Sequence, residues 1–423
     1  MSPSTINERV SITRLGGQDY NFFFGYYNKT PWDGQGRLIL GHQVDEPNFR
    51  IGRNSGCNVG YFDEAREFRL VDRTQAWNWQ MGSQLQWLTG MPGRNIIYNI
   101  RTSHDAGGPY PNIGARITDV DTGRTRDLNI PIYVVAANSK FAMCIDYRRL
   151  YKTHETIGYC ALAGRLPLDN APDDDGIWRL DIASGDSTLV VSYRQLYELA
   201  HKPSMDKAIH WVSHIEINPS STRVLFLHRW TERVEDETCF LHRLITMDPD
   251  GSNLRLLECS DHPLPQLARR FDSKAVGTYD YEKSEYQISH PLWRDDSSIV
   301  VWGPHAGRIN YQVYQDAHNG LVQTIGDGLL RENGHMSYSP VNMRWLLSDT
   351  YPHSETNLRD LFLFDANNEV RLDLGSFYTD PTLAKENRCD LHPRWSRDGK
   401  CVCIDSYHER RRRMYTIDVS ALV

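Results

Sequence analysis

Short apolar runs with a period of two, rich in Val, Ile, Leu, Phe and Tyr, recur from end to end of this chain. Asp-Gly, Asn, Ser and Pro separate them. Such alternation marks strands with one covered face, and the punctuating residues are those that tolerate tight turns. Trp178–Val191 (WRLDIASGDSTLVV) and Leu361–Leu372 (LFLFDANNEVRL) each read as a hairpin. A helical pattern is confined to Ser192–Met205 (SYRQLYELAHKPSM), where Pro203 should end it.

Laid under one another, the runs expose a repeated unit. Three copies align without gaps, beginning at Asn28, His214 and His335. In each, Arg follows nine positions later (Arg37, Arg223, Arg344) and His or Asp fourteen positions later (His42, His228, Asp349). Two more copies, His290–Trp302 and His392–Asp405, fit with one deletion, and Trp77–Asn99 and Ile132–Asp146 are weaker ones. The unit is a strand, a polar turn and a more apolar strand, with a second strand pair before the next copy. Seven such units predict an all-β fold, a seven-bladed β-propeller of four-stranded antiparallel blades, as a single domain over residues 1–423. At about 60 residues per unit the blades are longer than the common repeats, so the surplus is expected in loops at 151–176 and 260–286. The C-terminal run from Arg413 is expected as an inner strand with Val10–Arg14 outside it, closing the ring.

Composition narrows the function classes. The 423 residues carry a formal charge of −7, which argues against a nucleic-acid binder that needs a basic surface. No apolar run of 18 residues exists, so no membrane-spanning helix is expected. The N-terminal sequence lacks a basic stretch followed by an apolar one, and a cytoplasmic location is the expectation. The eight cysteines contain no CxxC pair, and Cys401 and Cys403 read as reduced core residues. No GxSxG, P-loop or HExxH motif is present. Gly107–Pro109 reads as a loop, and the four arginines at 410–413 as a solvated turn.

The chemistry lies in the repeat register. Equivalent positions of successive blades converge on a propeller's axis, and position one is His214, His290, His335 and His392 in four consecutive units. Imidazole is a poor core filler without partners, so an in-register set points to a site. With a carboxylate such as Asp390, these imidazoles could hold a divalent transition metal. Alternatively, an imidazole beside an arginine can remove a proton next to a carboxylate. His228-Arg229 and Asp146-Tyr147-Arg148-Arg149 supply such pairs. His42, Trp79, Trp230 and Arg394 are the expected substrate contacts, with Trp77, Trp87, Tyr26 and Tyr27 as further aromatic faces.

The second half of the chain resembles the oligogalacturonate lyases, seven-bladed propellers that split pectin fragments by metal-dependent β-elimination. The stretches that carry the resemblance are Ser213-His214-Ile-Glu-Ile, Ser289-His290-Pro-Leu-Trp293, Gly334-His335-Met-Ser and Asn387-Arg-Cys-Asp390-Leu-His392-Pro-Arg-Trp395. The resemblance implies that His214 is the base, that His290 and His392 are metal ligands, and that Asp390 and Asn387 stand at the other ligand positions. The family's catalytic arginine has no counterpart in Asp173–Trp178, and Arg148, Arg149 or Arg229 would have to replace it.

The expected activity is therefore β-elimination on an acidic, uronate-containing oligosaccharide. His214 takes the C5 proton and His228 or Tyr147 assists the leaving oxygen. A divalent metal, manganese in the first instance, is expected at His290, Asp390 and His392, helped by His335. The rival expectations are a non-catalytic glycan-binding or scaffold propeller and a hydrolase using Asp349 and Asp405.

Overall fold

The computed structural model describes residues 4–45, 50–102, 112–160, 168–234, 240–259, 287–383 and 385–423. Their strands form seven antiparallel sheets, and the chain is a seven-bladed β-propeller. Blade 1 runs Asn21–Phe23, Ile39–Val44, Cys57–Phe62 and Phe68–Thr74; blade 2 runs Gln86–Trp87, Asn95–Arg101, Ile113–Asp119 and Thr125–Leu128. Blade 3 comprises Val134–Val135, Phe141–Cys144, Gly176–Asp181 and Ser187–Ser192. Blade 4 comprises Ile209–Ile217, Val224–Thr231, Leu241–Met247 and Arg255–Cys259. In blade 5 the strands are Ser289–Trp293, Ser298–His305, Arg308–Gln315 and Val322–Ile325. Blade 6 holds Met336–Tyr338, Trp345–Asp349, Leu358–Asp365 and Val370–Tyr378; blade 7 holds Arg394–Trp395, Cys401–Ser406 and Arg413–Asp418.

The chain forms two compact units. One holds Met1–Asn129 and Arg331–Val423, hence blades 1, 2, 6 and 7; the other holds Ile130–Leu330, hence blades 3 to 5. In the first, the N-terminal strand Ser11–Arg14 completes blade 7 beside Arg413–Asp418, as the closure expectation required. Arg413–Asp418 is third in that sheet, not innermost, because Arg394–Trp395 starts the blade. Thr5–Ile6 adds a fifth strand to blade 6. The core of this unit lies between adjacent blades. Phe22, Leu40, Phe62, Ile96, Tyr98, Cys403 and Met414 pack in one cluster, Leu347, Leu363, Trp395, Ile404 and Ile417 in another. The thiols of Cys401 and Cys403 are free, with Cys403 fully in the core. In the second unit Leu225, Leu227, Leu244, Ile299, Val301 and Tyr314 join blades 4 and 5.

Three local expectations are corrected. The first strand of blade 2 is Gln86–Trp87, while Trp77 and Trp79 lie in the preceding turn closed by Asn78 and Gly82. The segment 192–205 is a one-and-a-half-turn helix, Tyr193–Glu198, plus a 3-10 turn, Pro203–Met205. A Ser192/Gln195 capping box starts that helix, and Ala200 in the left-handed region (φ 44°) ends it before the proline is reached. A further short helix, Tyr147–Thr153, is capped by Asp146. The loop at 260–286, residues 161–167 of the loop at 151–176, and Gly107–Pro109 fall outside the described residues. No helix among the described residues is long and apolar enough to cross a membrane.

The first strands carry the device that matters for the site. In blades 4 and 5 the pairing slips between Ser213 and Glu216 and between Ser289 and Leu292. His214 and His290 sit in those bulges at φ 53°, and His392, just before the first strand of blade 7, has φ 43°. A left-handed backbone costs a non-glycine residue about 1–2 kcal/mol, so it persists where packing fixes it and tends to mark working positions. The first strand pair of blade 6 has no slip: Met336 pairs with Ser348, so His335 stands directly opposite Asp349. The sequence spacing of fourteen therefore holds in both blades, yet only in blade 6 does it bring the two side chains together.

Candidate functional site

In the unit of blades 1, 2, 6 and 7, His335, Asp390 and His392 meet. One ligand atom from each lies within 4.8 Å of the other two, and all three residues are buried. The rings of His335 and His392 are 4.3 Å apart and nearly perpendicular, and Tyr26 packs edge-on to His392 at 4.9 Å. His335 Nδ1 is 3.0 Å from Asp349 Oδ1, and its backbone N–H donates to the same oxygen at 2.7 Å. A carboxylate acceptor fixes the proton on Nδ1 and leaves the Nε2 lone pair for a ligand.

The loop bearing Asp390 is held from several sides. Arg412 donates to the carbonyls of Asn387 (2.5 Å) and Arg388 (3.2 Å), and Gln80 donates to Arg388 O at 2.8 Å. Trp79 lies against the Arg412 guanidinium at 4.4 Å. The arginine run at 410–413 is a solvated turn only at its start, where Arg410 is exposed: Arg412 and Arg413 are buried struts, and Arg413 ties Gly17 O and Gln18 O. Asp390 itself is flanked by Arg388 Nε at 2.6 Å and Arg359 Nη2 at 2.7 Å. Burial opposes its ionisation, but Arg388 and Arg359, with His335 and His392, hold it well below the usual carboxylate range.

The donor set fits a divalent transition metal: two imidazole nitrogens and a carboxylate oxygen with lone pairs to spare. His392 Nε2 is buried with no hydrogen-bond partner among the described residues, as expected of a nitrogen kept for a ligand. Burial, then the neighbouring His335, holds His392 well below the ordinary imidazole range, so its lone pair is free at neutral pH.

In the unit of blades 3 to 5, His214 and His290 face each other with ring centroids 6.3 Å apart. Each Nδ1 meets the hydroxyl of the preceding serine, Ser213 at 3.0 Å and Ser289 at 3.1 Å. The Tyr133 hydroxyl accepts the backbone N–H of His214 at 2.8 Å. Arg229, buried on the second strand of blade 4, reaches His154 Nδ1 at 3.2 Å and lies over Phe240 at 4.6 Å. Burial pushes the His214 imidazole well below its ordinary pKa, and Arg229 with His290, His154 and His242 pushes the same way. The result is a neutral base with a guanidinium beside it.

The other expected residues have protein contacts of their own. His228 belongs to a buried chain in which Arg243 Nε donates to its Nδ1 (3.1 Å), its Nε2 meets His210 Nδ1 (2.9 Å), and His210 Nε2 meets Met205 O (3.2 Å). Every ring nitrogen there is engaged. Tyr147 is fully buried, stacked on Tyr159 at 4.1 Å, with its hydroxyl on Ile132 O. Arg148 is paired with Asp146, and Arg149 with Asp175. The four expected substrate contacts are core residues. His42 bonds Ser83 and stacks on Phe23, Trp79 braces Arg412, Trp230 packs around Met205, and Arg394 pairs with Asp405 over Phe24. Their side chains serve packing and positioning: all four are buried and each holds a protein contact, although His42 Nδ1 and Arg394 Nε have no hydrogen-bond partner among the described residues. Asp349 and Asp405, the hydrolytic pair, are likewise engaged, Asp349 by His335 and Asp405 by Arg394 and the N–H groups of Phe24 and Gly25.

Sequence reasoning missed Arg359, Arg388, His154 and Tyr133, none of which stands at position one or fourteen. It also missed that Asp349 orients His335, although position fourteen had flagged it. His290, expected among the metal ligands, has its ring 6.3 Å from that of His214 within the unit of blades 3 to 5.

No protein-family model matches this sequence, and no match is found among the curated proteins. Solved structures share the fold. An oligogalacturonate lyase from Vibrio parahaemolyticus aligns with TM-score 0.62 and 13% identity, over 98% of this chain and 96% of that one. An oligogalacturonate lyase in complex with manganese aligns with TM-score 0.62 and 14% identity, over 99% of this chain and 96% of that one. At such identity the likeness establishes the seven-bladed architecture and leaves the chemistry to be argued from the residues.

Proposed function

We propose that this protein is a lyase that cleaves uronate-containing oligosaccharides by metal-assisted β-elimination. The observation that carries the reading is His214: a buried, neutral imidazole strained into a bulge, with its Nδ1 on a serine hydroxyl and a guanidinium in its field. Removal of the proton next to a carboxylate needs such a base, and it needs positive charge where the enolate forms. That both aligned structures are oligogalacturonate lyases supports the substrate class.

His214 accepts the C5 proton, and Ser213 and the Tyr133 hydroxyl hold it in place. His290, built in the same way and 6.3 Å from it, returns a proton to the leaving oxygen. His228 and Tyr147 receive no role, because their hydrogen bonds commit them elsewhere. His335, Asp390 and His392 would hold the metal, with manganese suggested by one aligned lyase. A divalent ion held there would supply positive charge to a uronate carboxylate. Asp349 keeps His335 in the ligating tautomer.

A binding propeller without turnover is the second reading. The tied histidines His42, His210, His228 and His242 favour it, since they do act as struts. Incubation with trigalacturonate, in Mn²⁺ and in chelator, separates the two. The lyase reading expects the ultraviolet absorbance of a 4,5-unsaturated product that chelator abolishes. Absence of that product from every uronate-containing oligosaccharide offered overturns it.

A further inference from the structure

Arg359 opens the third strand of blade 6 and is 1% exposed. Its Nη2 stands 2.7 Å from Asp390 Oδ1. That contact is close but poorly aligned, since Asp390 Oδ1 has no hydrogen-bond donor in good geometry. Nε and Nη1 have no hydrogen-bond partner among the described residues. A guanidinium carries five N–H donors in a planar fork, and burying one with its donors unanswered is unfavourable. Position ties these donors to the histidine cluster. The Tyr351 ring lies 5.9 Å from the Arg359 guanidinium and 5.7 Å from the His335 ring. Each open N–H lies parallel to one N–H of Nη2, so a carboxylate can be taken edge-on by Nε or Nη1 together with Nη2, whose contact to Asp390 is poorly aligned.

We propose that Arg359 receives the carboxylate of the ligand at the His335–Asp390–His392 cluster and is the residue that makes this site select an acid over its neutral counterpart. The assignment rests on the proposed function only in taking that acid to be a uronate. The bland alternative is that Arg359 exists only to hold Asp390 in place.

Calorimetric titration of the full chain with trigalacturonate and with its carboxyl-reduced, neutral trisaccharide decides between them, alongside Mn²⁺ titration of chelator-stripped protein. The wild type should prefer the acid by tenfold or more. Arg359→Gln should lose that preference while Mn²⁺ binding stays equal or tightens, because a positive charge beside Asp390 has gone. Should Arg359→Gln lose its near-ultraviolet circular dichroism, Arg359→Lys, which keeps the charge and breaks the fork, should still lower the preference several-fold. Equal acid binding by the wild type and Arg359→Gln overturns the proposal. So does a joint loss of acid and Mn²⁺ binding, the signature of a residue that merely positions Asp390. So does a wild type with no preference for the acid. Arg359-dependent acid binding without any unsaturated product would sink the lyase reading and leave this one standing.

Discussion

His214 and His290 in one unit, and His335 and His392 in the other, occupy the same place in the repeat but sit in opposite electrical settings. The first pair has serine hydroxyls at Nδ1, and the groups that shift His214 are a guanidinium and other imidazoles. The second pair has carboxylates: Asp349 on His335, and Asp390 at 3.8 Å from His392. A hydroxyl leaves an imidazole free to gain and lose a proton, whereas a carboxylate on Nδ1 fixes the tautomer and raises the donor strength of Nε2. One repeat position thus supplies a base in one setting and a metal ligand in the other. What selects between them is the register of the neighbouring strand, slipped in blades 4 and 5 and regular in blade 6.

The largest test strikes the base. His214→Asn keeps a residue that tolerates the left-handed backbone and removes the proton acceptor, and should lower kcat/KM by about 10³-fold or more with the thermal midpoint little changed. Activity within tenfold of wild type would erase the distinction between the pairs. The next test strikes the ligands. His392→Ala should abolish stoichiometric metal retention after dialysis, whereas Asp349→Asn, which alters only the group behind a ligand, should weaken metal affinity by about 10–100-fold. Metal analysis of the two variants reads the difference directly, and equal retention in both would show that the triad holds no ion.

Much of this arrangement was legible in the chain. The spacing that aligns His214 with His335 and Arg223 with Arg344 reflects strand length and turn chemistry, which are local, so the seven blades and the four position-one histidines could be read off directly. Position fourteen was less faithful. A bulge adds a residue to one strand of a pair, so His228 faces His210 while Asp349 faces His335, although both stand fourteen residues on. A slip of that kind leaves no mark in composition. Arg359 and His154 were invisible for another reason: neither occupies a repeat position, and each acquires its meaning from a loop or strand distant in sequence. Aromatic residues misled most. Trp79 and Trp230 were named as sugar contacts although tryptophan more often packs a core, and burial places both among protein partners.

Acid should strain both units, through histidines that belong to neither pair. His42 in one unit and His210 in the other are pushed down to about 4, chiefly by burial. The unfolded chain takes up protons below about 6.5, while the folded chain holds these rings neutral until about 4, so stability falls as pH drops through that window. Each ring should cost up to about 3 kcal/mol by the bottom of it. Urea midpoints measured from pH 7 to pH 4.5 should decline, and His42→Gln should flatten part of the slope. A midpoint independent of pH would mean that these histidines are not buried as neutral rings.

The smallest effect is also the one that probes the likeness within the first pair. Ser213 and Ser289 make the same bond to the imidazole that follows them, at 3.0 and 3.1 Å. Removing either hydroxyl leaves the ring, the bulge and the burial in place and takes away one hydrogen bond, worth about 1 kcal/mol, so about fivefold in rate is the expected scale. If His214 is the base and His290 returns the proton, the two serine variants should move opposite limbs of the pH–rate profile. Ser213→Ala should act on the acid limb, where the base must be unprotonated, and Ser289→Ala on the alkaline limb, where the acid must keep its proton. Identical profiles for the two variants would mean that the histidines share one role, and the division of labour within this pair would fall even if His214→Asn were inactive.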